Sequence, residues 1–314
     1  MNEAEVARQI YDLLGYGSLT VDTIDYLKEK LFAAVSSVDE LLPLFQRLKQ
    51  FYEDWCEGTF IDNTPSENWP QIKRMQLGAE DIQAGLRHID IYAGLNVMRL
   101  LFELHRYGQQ LANGRNYSSL HFHPCGNLEL KGKDADSGRL LRIIGYSQLI
   151  GLDAFTEVIG SHLSCADLSR AYLSRAYFSS ANFQNCNFQG ANLSSANLIG
   201  SNLIKADLRS AYLQGADLRG ANLSRSHLGC ADLRGANFSG ADFRSSNLIG
   251  ANFRGANLSR ANFSGANLKG ADLSSTNLIS ADLSSADLTN VDLSDAYPKV
   301  CVCKVCANRI SVTE

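Results

Sequence analysis

The stretch Ala216-Asp217-Leu218-Arg219-Gly220-Ala221-Asn222-Leu223 decides the fold. Leu218 and Leu223 lie five residues apart, and each follows an Ala and then an Asp or Asn. Stepping by five in both directions carries the pattern from Leu163 to Leu293: 27 centres with no insertion or deletion, 20 of them Leu and seven Phe. Two residues before each centre stands Ala in 20 cases; the others are Ser161, Cys186, Ser201, Ser226, Ser246, Thr276 and Val291. Between the two stands Asn or Asp in 22 cases, with His162, Tyr172, Tyr177, Tyr212 and His227 in the rest. The last two positions of each unit are mostly Ser, Gly, Arg and Gln.

A period of five does not fit an α-helix, whose apolar face recurs at three and four. Small-in, polar-out, large-in is the alternation of a short extended segment. The polar or Gly pair that follows turns the chain. One such unit cannot bury its Leu alone, whereas stacked coils bury a continuous column. The sequence therefore predicts a solenoid over 161–295 that tolerates no charge at an inward position.

Tandem A-[DN]-[LF]-x-x units of this kind resemble the pentapeptide repeat proteins, in a style most like cyanobacterial members. The resemblance covers about 135 of 314 residues. It implies a right-handed quadrilateral β-helix with four units per coil. Residues twenty apart then stack, and at about 4.8 Å per coil the array is roughly 30 Å long. Some members of the family resemble a DNA duplex in shape and charge and so bind DNA gyrase. That possibility enters through the resemblance alone.

The N-terminal half has a different texture, and the fold class is therefore a helical domain followed by a β-helix. Residues 1–137 read as mainly α-helical, 138–160 as the N-terminal cap of the solenoid, and 296–314 as a C-terminal tail or cap. Ser37 precedes a stripe at Leu41, Leu44, Phe45, Leu48, Phe51, Tyr52 and Trp55 with helical spacing, and Asp39 and Glu40 suit the first turn's dipole. Residues 19–35 read likewise, with Thr20 or Asp22 as cap. A third helix is expected over 79–112, after a loop at 63–66, and its stretch 89–104 is apolar on most sides, as for a central packed helix. Asn113 and Gly114 close it, 114–137 are irregular, and 131–138 read as a solvated turn.

Charge divides unevenly. Residues 1–160 carry 15 Lys and Arg against 22 Asp and Glu, and 161–295 carry 11 against 10. Neither is the strongly basic footprint of a nucleic-acid binder. No run approaches the ~20 apolar residues of a membrane-spanning helix. The opening M-N-E-A-E-V-A-R lacks the basic and apolar regions of a secretory signal. The expected location is the cytoplasm, with reduced cysteines.

Candidate chemistry is sparse. Cys301, Cys303 and Cys306 have thiolate spacing that suits zinc, but the tail offers no fourth ligand. His121 and His123, in H-F-H-P-C, lie across the repeats from that tail and fit one face of a surface strand. Metal and cofactor are therefore both read as none. Cys165 and Cys230 fall at exposed corners, and Cys186 at an inert inward position. No phosphate-binding Gly-rich loop, nucleophile elbow or H-E-x-x-H is present. The Asp residues of the repeats, on outward positions in a regular ladder, read as solvated or locally hydrogen-bonded and not as catalytic. With coils of twenty, Lys205 and Arg225 stack, with Arg244 close above them. Arg234 and Arg254 stack on another face, which also holds Tyr172 and Tyr212 two coils apart. These seven form a candidate contact surface, set against the plainer reading of solvated decoration.

The sequence favours a non-enzymatic scaffold or regulator whose partner is another protein, not nucleic acid or membrane. One alternative is a DNA-mimicking inhibitor of an enzyme such as gyrase. Against it, duplex DNA carries one charge per about 1.7 Å, whereas these repeats mix Arg among Asp. The other alternative is an enzyme whose chemistry lies in residues 1–160.

Overall fold

The computed structural model describes residues 3–34, 37–60, 68–80, 84–111, 120, 122, 124–125 and 137–297. Two compact units result: Met1–Phe122 with Tyr146–His162, and His123–Gly145 with Leu163–Glu314. The division falls inside one helix, between Gly145 and Tyr146.

The first unit is helical: α1 (Glu3–Leu14), α2 (Val21–Ala34), α3 (Val38–Cys56), α4 (Trp69–Ala79), α5 (Leu86–Leu111), α6 (Arg139–Ser147, shared with the second unit) and α7 (Ala154–Ile159), then a 3-10 turn over Gly160–His162. Thr20 caps α2, its hydroxyl accepting from the Thr23 amide at 3.2 Å. Ser37 occupies the extended N-cap position of α3 but makes no side-chain cap bond. The α3 stripe is buried as expected at Leu41, Phe45, Leu48, Phe51, Tyr52 and Trp55, while Leu44 stays exposed.

The helix expected over 79–112 needs correcting. The chain makes α4 first, with the Asn68 side chain accepting from the Gln71 amide at 3.0 Å and Pro70 in the first turn. It breaks after Ala79 and restarts at Leu86. Pro70 is compatible with a first turn, and an Asn cap marks a start, so these were readable signals of an extra helix. The loop expected at 63–66, the closure at Asn113-Gly114 and most of the 131–138 turn lie outside the described residues.

Helix α5 is the axis of this unit, packing against α1, α3, α4 and α7. Its apolar residues Ile89, Ile91, Leu95, Val97, Met98, Leu101 and Phe102 are buried. Three buried polar side chains on it organise the rest. The Asp90 carboxylate accepts from the Tyr11 hydroxyl (2.6 Å), the Trp55 indole N–H (3.1 Å) and the Tyr146 hydroxyl (2.9 Å). Burial and the Asp90 charge together push the Tyr11 phenol well above its ordinary pKa, so it remains a donor. Asn96 donates to the Leu14 and Gly17 carbonyls and accepts from the Leu19 amide, which pins the connection from α1 to α2. Arg99 adds a bond to the Leu19 carbonyl at 2.6 Å.

In the second unit the outward residues pair with those twenty further on, in parallel, from Asp167↔Asn187 to Asn277↔Tyr297. Each coil therefore holds four five-residue units. The extended piece of each unit is one bridging residue flanked by backbone bonds, as in Leu168 N–H to Asn187 O (2.7 Å) and Asn187 N–H to Ala166 O (3.0 Å). Directly stacked Phe243 and Phe263, one coil apart, have ring centroids 4.7 Å apart and nearly parallel planes. That distance matches the ~4.8 Å spacing of paired strands.

The inward columns are sealed. Leu and Phe centres from Leu163 to Leu273 are fully buried, whereas Val291 and Leu293 at the far end are only half-buried. Three of the polar replacements in the Ala column satisfy themselves: Ser226, Ser246 and Thr276 donate to the carbonyl three residues back. Ser201 is buried with no partner for its hydroxyl.

Each corner is a tight turn. The Ala171 amide donates back to Leu168 O at 3.2 Å, and Arg170 between them has φ +57°. Such a left-handed position is what a type II turn requires, and it favours Gly. Gly220 has φ +65° and open space where a Cβ would stand, so it isolates that backbone preference.

Four substitutions test this account. Gly94→Ala in α5 would place its Cβ 2.0 Å from the Trp55 ring. We expect a loss of about 1–3 kcal/mol in denaturant unfolding of the helices, as for other overpacked cores. Leu218→Asp should abolish the cooperative β transition in far-UV circular dichroism, because it buries an unpaired charge. Arg219→Ala, an outward neighbour, should leave the midpoint nearly unchanged. Ser201→Ala should raise stability by about 1 kcal/mol, since an unpaired buried hydroxyl is removed; a loss instead would mean that this hydroxyl is satisfied.

Candidate functional site

The outward surface of the solenoid follows a rule that its spacing alone did not reveal. All 22 Asn and Asp residues preceding a centre accept, through Oδ1, a bond from the backbone amide two residues on; Asn182 to Gln184 and Asp217 to Arg219 (both 3.2 Å) are examples. This is an Asx turn, and it satisfies the first amide of each of those 22 corners. Of the two readings of the ladder Asp residues, solvated or locally hydrogen-bonded, the geometry is the locally hydrogen-bonded one.

Four Asp residues also hold the Arg two positions later. The pairs Asp207–Arg209, Asp217–Arg219, Asp232–Arg234 and Asp242–Arg244 close at 2.5, 2.8, 2.7 and 2.7 Å. Arg209 holds the Asp207 carboxyl below its ordinary pKa, and Arg234 does the same to Asp232. Of the seven candidate contact residues, Arg234 and Arg244 are thus committed to carboxylates. Lys205, Arg225 and Arg254 make no side-chain ion pair among the described residues. The formal charge also segregates along the array: residues 161–269 carry 11 basic and five acidic groups, and 270–295 carry five acidic groups and none basic.

Tyr172 and Tyr212 stand on one face, 48% and 50% exposed, with Asn192 between them. A cleft of about 350 Å³ is lined by both tyrosines, with Ser194, Gly190 and Gln214 also in its lining. Ser194 donates to the Gln214 side-chain oxygen at 2.7 Å, and Gln214 donates to Asp232 at 2.7 Å, so that wall is fixed. The structure brings these two tyrosines to one cleft. It leaves Lys205 and Arg225 on a different column.

The remaining candidates divide clearly. Cys301, Cys303, Cys306, His121 and His123 lie outside the described residues. Among the described residues no group of three or more His, Cys, Asp or Glu is placed to hold a metal ion. Cys165 and Cys230 are exposed, and Cys186 is buried with its thiol 2.7 Å from Leu163 O, burial pushing its pKa up. His162 needs correcting. Expected on the outward ladder, it is buried in the 3-10 turn of the helical unit, its Nδ1 2.7 Å from Glu103 Oε1, with Arg106 bonded to both. The regular stack begins one residue later, at Leu163. Nothing in the local sequence signals this cluster, because Glu103 and His162 meet only through the packing of α5 on the chain after α7.

Stacked five-residue units with self-pairing coils define a tandem-repeat β-solenoid protein joined to a helical unit. A family model described as "Pentapeptide repeats" matches residues 158–190, 186–225, 226–260 and 256–295. HetL, a pentapeptide repeat protein from the cyanobacterium Nostoc sp. strain PCC 7120, is 31% identical over 42% of this chain and 72% of its own, with a TM-score of 0.23. The protein alr5209, from Nostoc PCC 7120, is 30% identical over 40% and 84%, with a TM-score of 0.20. QnrB1, described as a plasmid-mediated fluoroquinolone resistance protein, is 28% identical over 43% and 75%, with a TM-score of 0.32. A comparison with curated proteins finds no match. The chain belongs to the pentapeptide repeat family, whose repeats imply a right-handed β-helix.

The Glu103–His162 contact predicts a pH response. Burial draws the His162 pKa below its ordinary value, against the opposing effect of Glu103. The neutral imidazole is therefore the folded form. Its contribution is complete above the unfolded pKa of about 6.5 and falls away below it. Between pH 7 and pH 5.5 the helical melting temperature should drop more in the natural chain than in His162→Gln. An equal drop in both would dismiss His162 as the group responsible.

Proposed function

We propose that this chain is a non-enzymatic, protein-binding scaffold or regulatory protein, acting in the cytoplasm, whose quadrilateral solenoid presents flat, rigid faces to a partner protein. The observation that carries this reading is the Asx rule. With all 22 outward Asn and Asp side chains bonded to their own corner amides, the faces are set before any partner arrives. Preset surfaces lose little conformational freedom on binding. HetL, a relative in sequence, is itself described as involved in heterocyst differentiation regulation, which fits a regulatory role.

The duplex-mimic alternative is less well supported. A mimic needs closely spaced, unneutralised negative charge along its length. Here four outward carboxylates are each closed onto an Arg. The stretch 270–295 holds five Asp and no Lys or Arg, but it is too short to imitate a duplex. Salt screens the remaining field over about 8–10 Å. Among the described residues no helix is long and apolar enough to cross a membrane.

Two measurements bear on this reading. Affinity capture with the full chain, read by mass spectrometry, should recover a stoichiometric protein partner; repeated recovery of none would count against it. Micromolar protein should leave DNA gyrase supercoiling unchanged. Potent inhibition that competes with DNA and weakens steeply with salt would put the mimic first.

A further inference from the structure

From the cleft between Tyr172 and Tyr212 we infer a docking slot for one aromatic side chain of a partner protein, presented on an extended segment with a carboxylate beside it. The inference rests on the scaffold reading and names the chemistry of the partner. Three observations carry it.

The first is that the two tyrosines break the local rule. At all 22 Asn and Asp positions the side chain caps the corner amide two residues on, and a tyrosine cannot. The amides of Ser174 and Gln214 therefore lose the acceptor that their counterparts have. Departures from local consistency with no structural return are where function is sought. Each ring leaves about half of its surface uncovered, and neither contacts another aromatic ring among the described residues.

The second is spacing. The two residues are two coils apart on one column, with the smaller Asn192 between them. Two coil spacings are about 9.6 Å, so a planar group inserted midway lies about 4.8 Å from each ring. That is inside the roughly 4.5–7 Å range in which aromatic pairs attract.

The third is charge. Among the described residues Arg170 is the only charged one lining the cleft, and it makes no ion pair there. Its stem lies over the Gly190 corner, 3.7 Å from where a Cβ would stand, which directs it toward the coil of Asn192. The neighbouring Asp232 is already closed onto Arg234 and Gln214. A cationic guest meets uncompensated positive charge here, whereas an aromatic residue flanked by Asp or Glu offers Arg170 the carboxylate it lacks.

The test uses the full chain with ring-labelled tyrosine, followed by NMR. The probes are N-acetyl-Glu-Phe-Glu amide, its Lys-Phe-Lys counterpart and its Glu-Ala-Glu counterpart. The acidic phenylalanine peptide should shift the Tyr172 and Tyr212 ring signals saturably, with a dissociation constant on the order of a millimolar. The Lys-Phe-Lys peptide should bind at least about fivefold more weakly, and Glu-Ala-Glu should leave both rings unmoved. Tyr172→Asn with Tyr212→Asn installs the residue used elsewhere on the ladder. That variant should melt no lower than the natural chain and should lose the peptide. Arg170→Gln should erase the preference for the acidic peptide. Unmoved ring signals, equal binding by Glu-Ala-Glu, or full binding by the double Asn variant would each overturn the slot. A partner captured equally by the natural chain and the double variant would overturn the slot and leave the scaffold standing. Peptide binding in the slot with no partner captured would do the reverse.

Discussion

Everything in the repeat unit depends on one constraint: the coil closes after twenty residues, so each outward residue bridges in parallel to the residue twenty further on, through backbone bonds that span nineteen and twenty-one positions. Parallel pairing at that offset places like positions over like positions. A Leu always meets a Leu or Phe above it, and a corner always meets a corner. The five-residue unit is therefore not free to vary in length, and the absence of any insertion between Leu163 and Leu293 follows from the geometry. The ring stack of Phe243 on Phe263 is the same constraint seen in a side chain.

The helical unit is governed differently. It has no repeat, and its α5 axis carries polar groups where a simple core has none. Asp90 gathers hydroxyl and indole donors from three separate segments, and Asn96 holds the connection after α1 by three backbone bonds. A buried carboxylate is costly unless its partners are in place. Those donors therefore bind the segments to a single arrangement, as the close seat of Trp55 on Gly94 also does.

The two units were legible to different degrees for that reason. The repeat could be read residue by residue, because a period of five leaves one mode of burial and Leu218, Ala216 and Cys186 all fall where the alternation puts them. The α3 stripe was readable because helical burial is periodic. Helix α4 was missed although its Asn68 cap and early Pro70 mark a start, and the helix expected from 79 begins instead at Leu86. The Asp90 and Glu103–His162 clusters join residues 35 to 79 positions apart, and local pattern is silent about such pairs. In the candidate site, the shared column of Tyr172 and Tyr212 was legible from their separation of forty. That Arg234 and Arg244 are closed onto carboxylates while Lys205, Arg225 and Arg254 are not needed side-chain geometry.

The same stacking explains why the outward ladder prefers Asn to Asp. Either residue can cap the corner amide, so the Asx bond does not choose between them. Their neighbours do. Two carboxylates on one column stand a single coil apart, and like charges directly opposite across paired strands are destabilising. Among the 23 bridges, Asp faces Asp once, at Asp272 and Asp292 near the C-terminal end of the array. Elsewhere an Asn, His or Tyr separates successive Asp residues on every column. Four Asp residues are further neutralised from within their own unit by Arg. A solenoid with this ladder keeps its faces stable by diluting charge. A surface that imitates a polyanion must do the opposite and stack carboxylate on carboxylate, coil after coil. The ladder therefore balances stability against anionic character, and at nearly every column this chain sits on the side of stability.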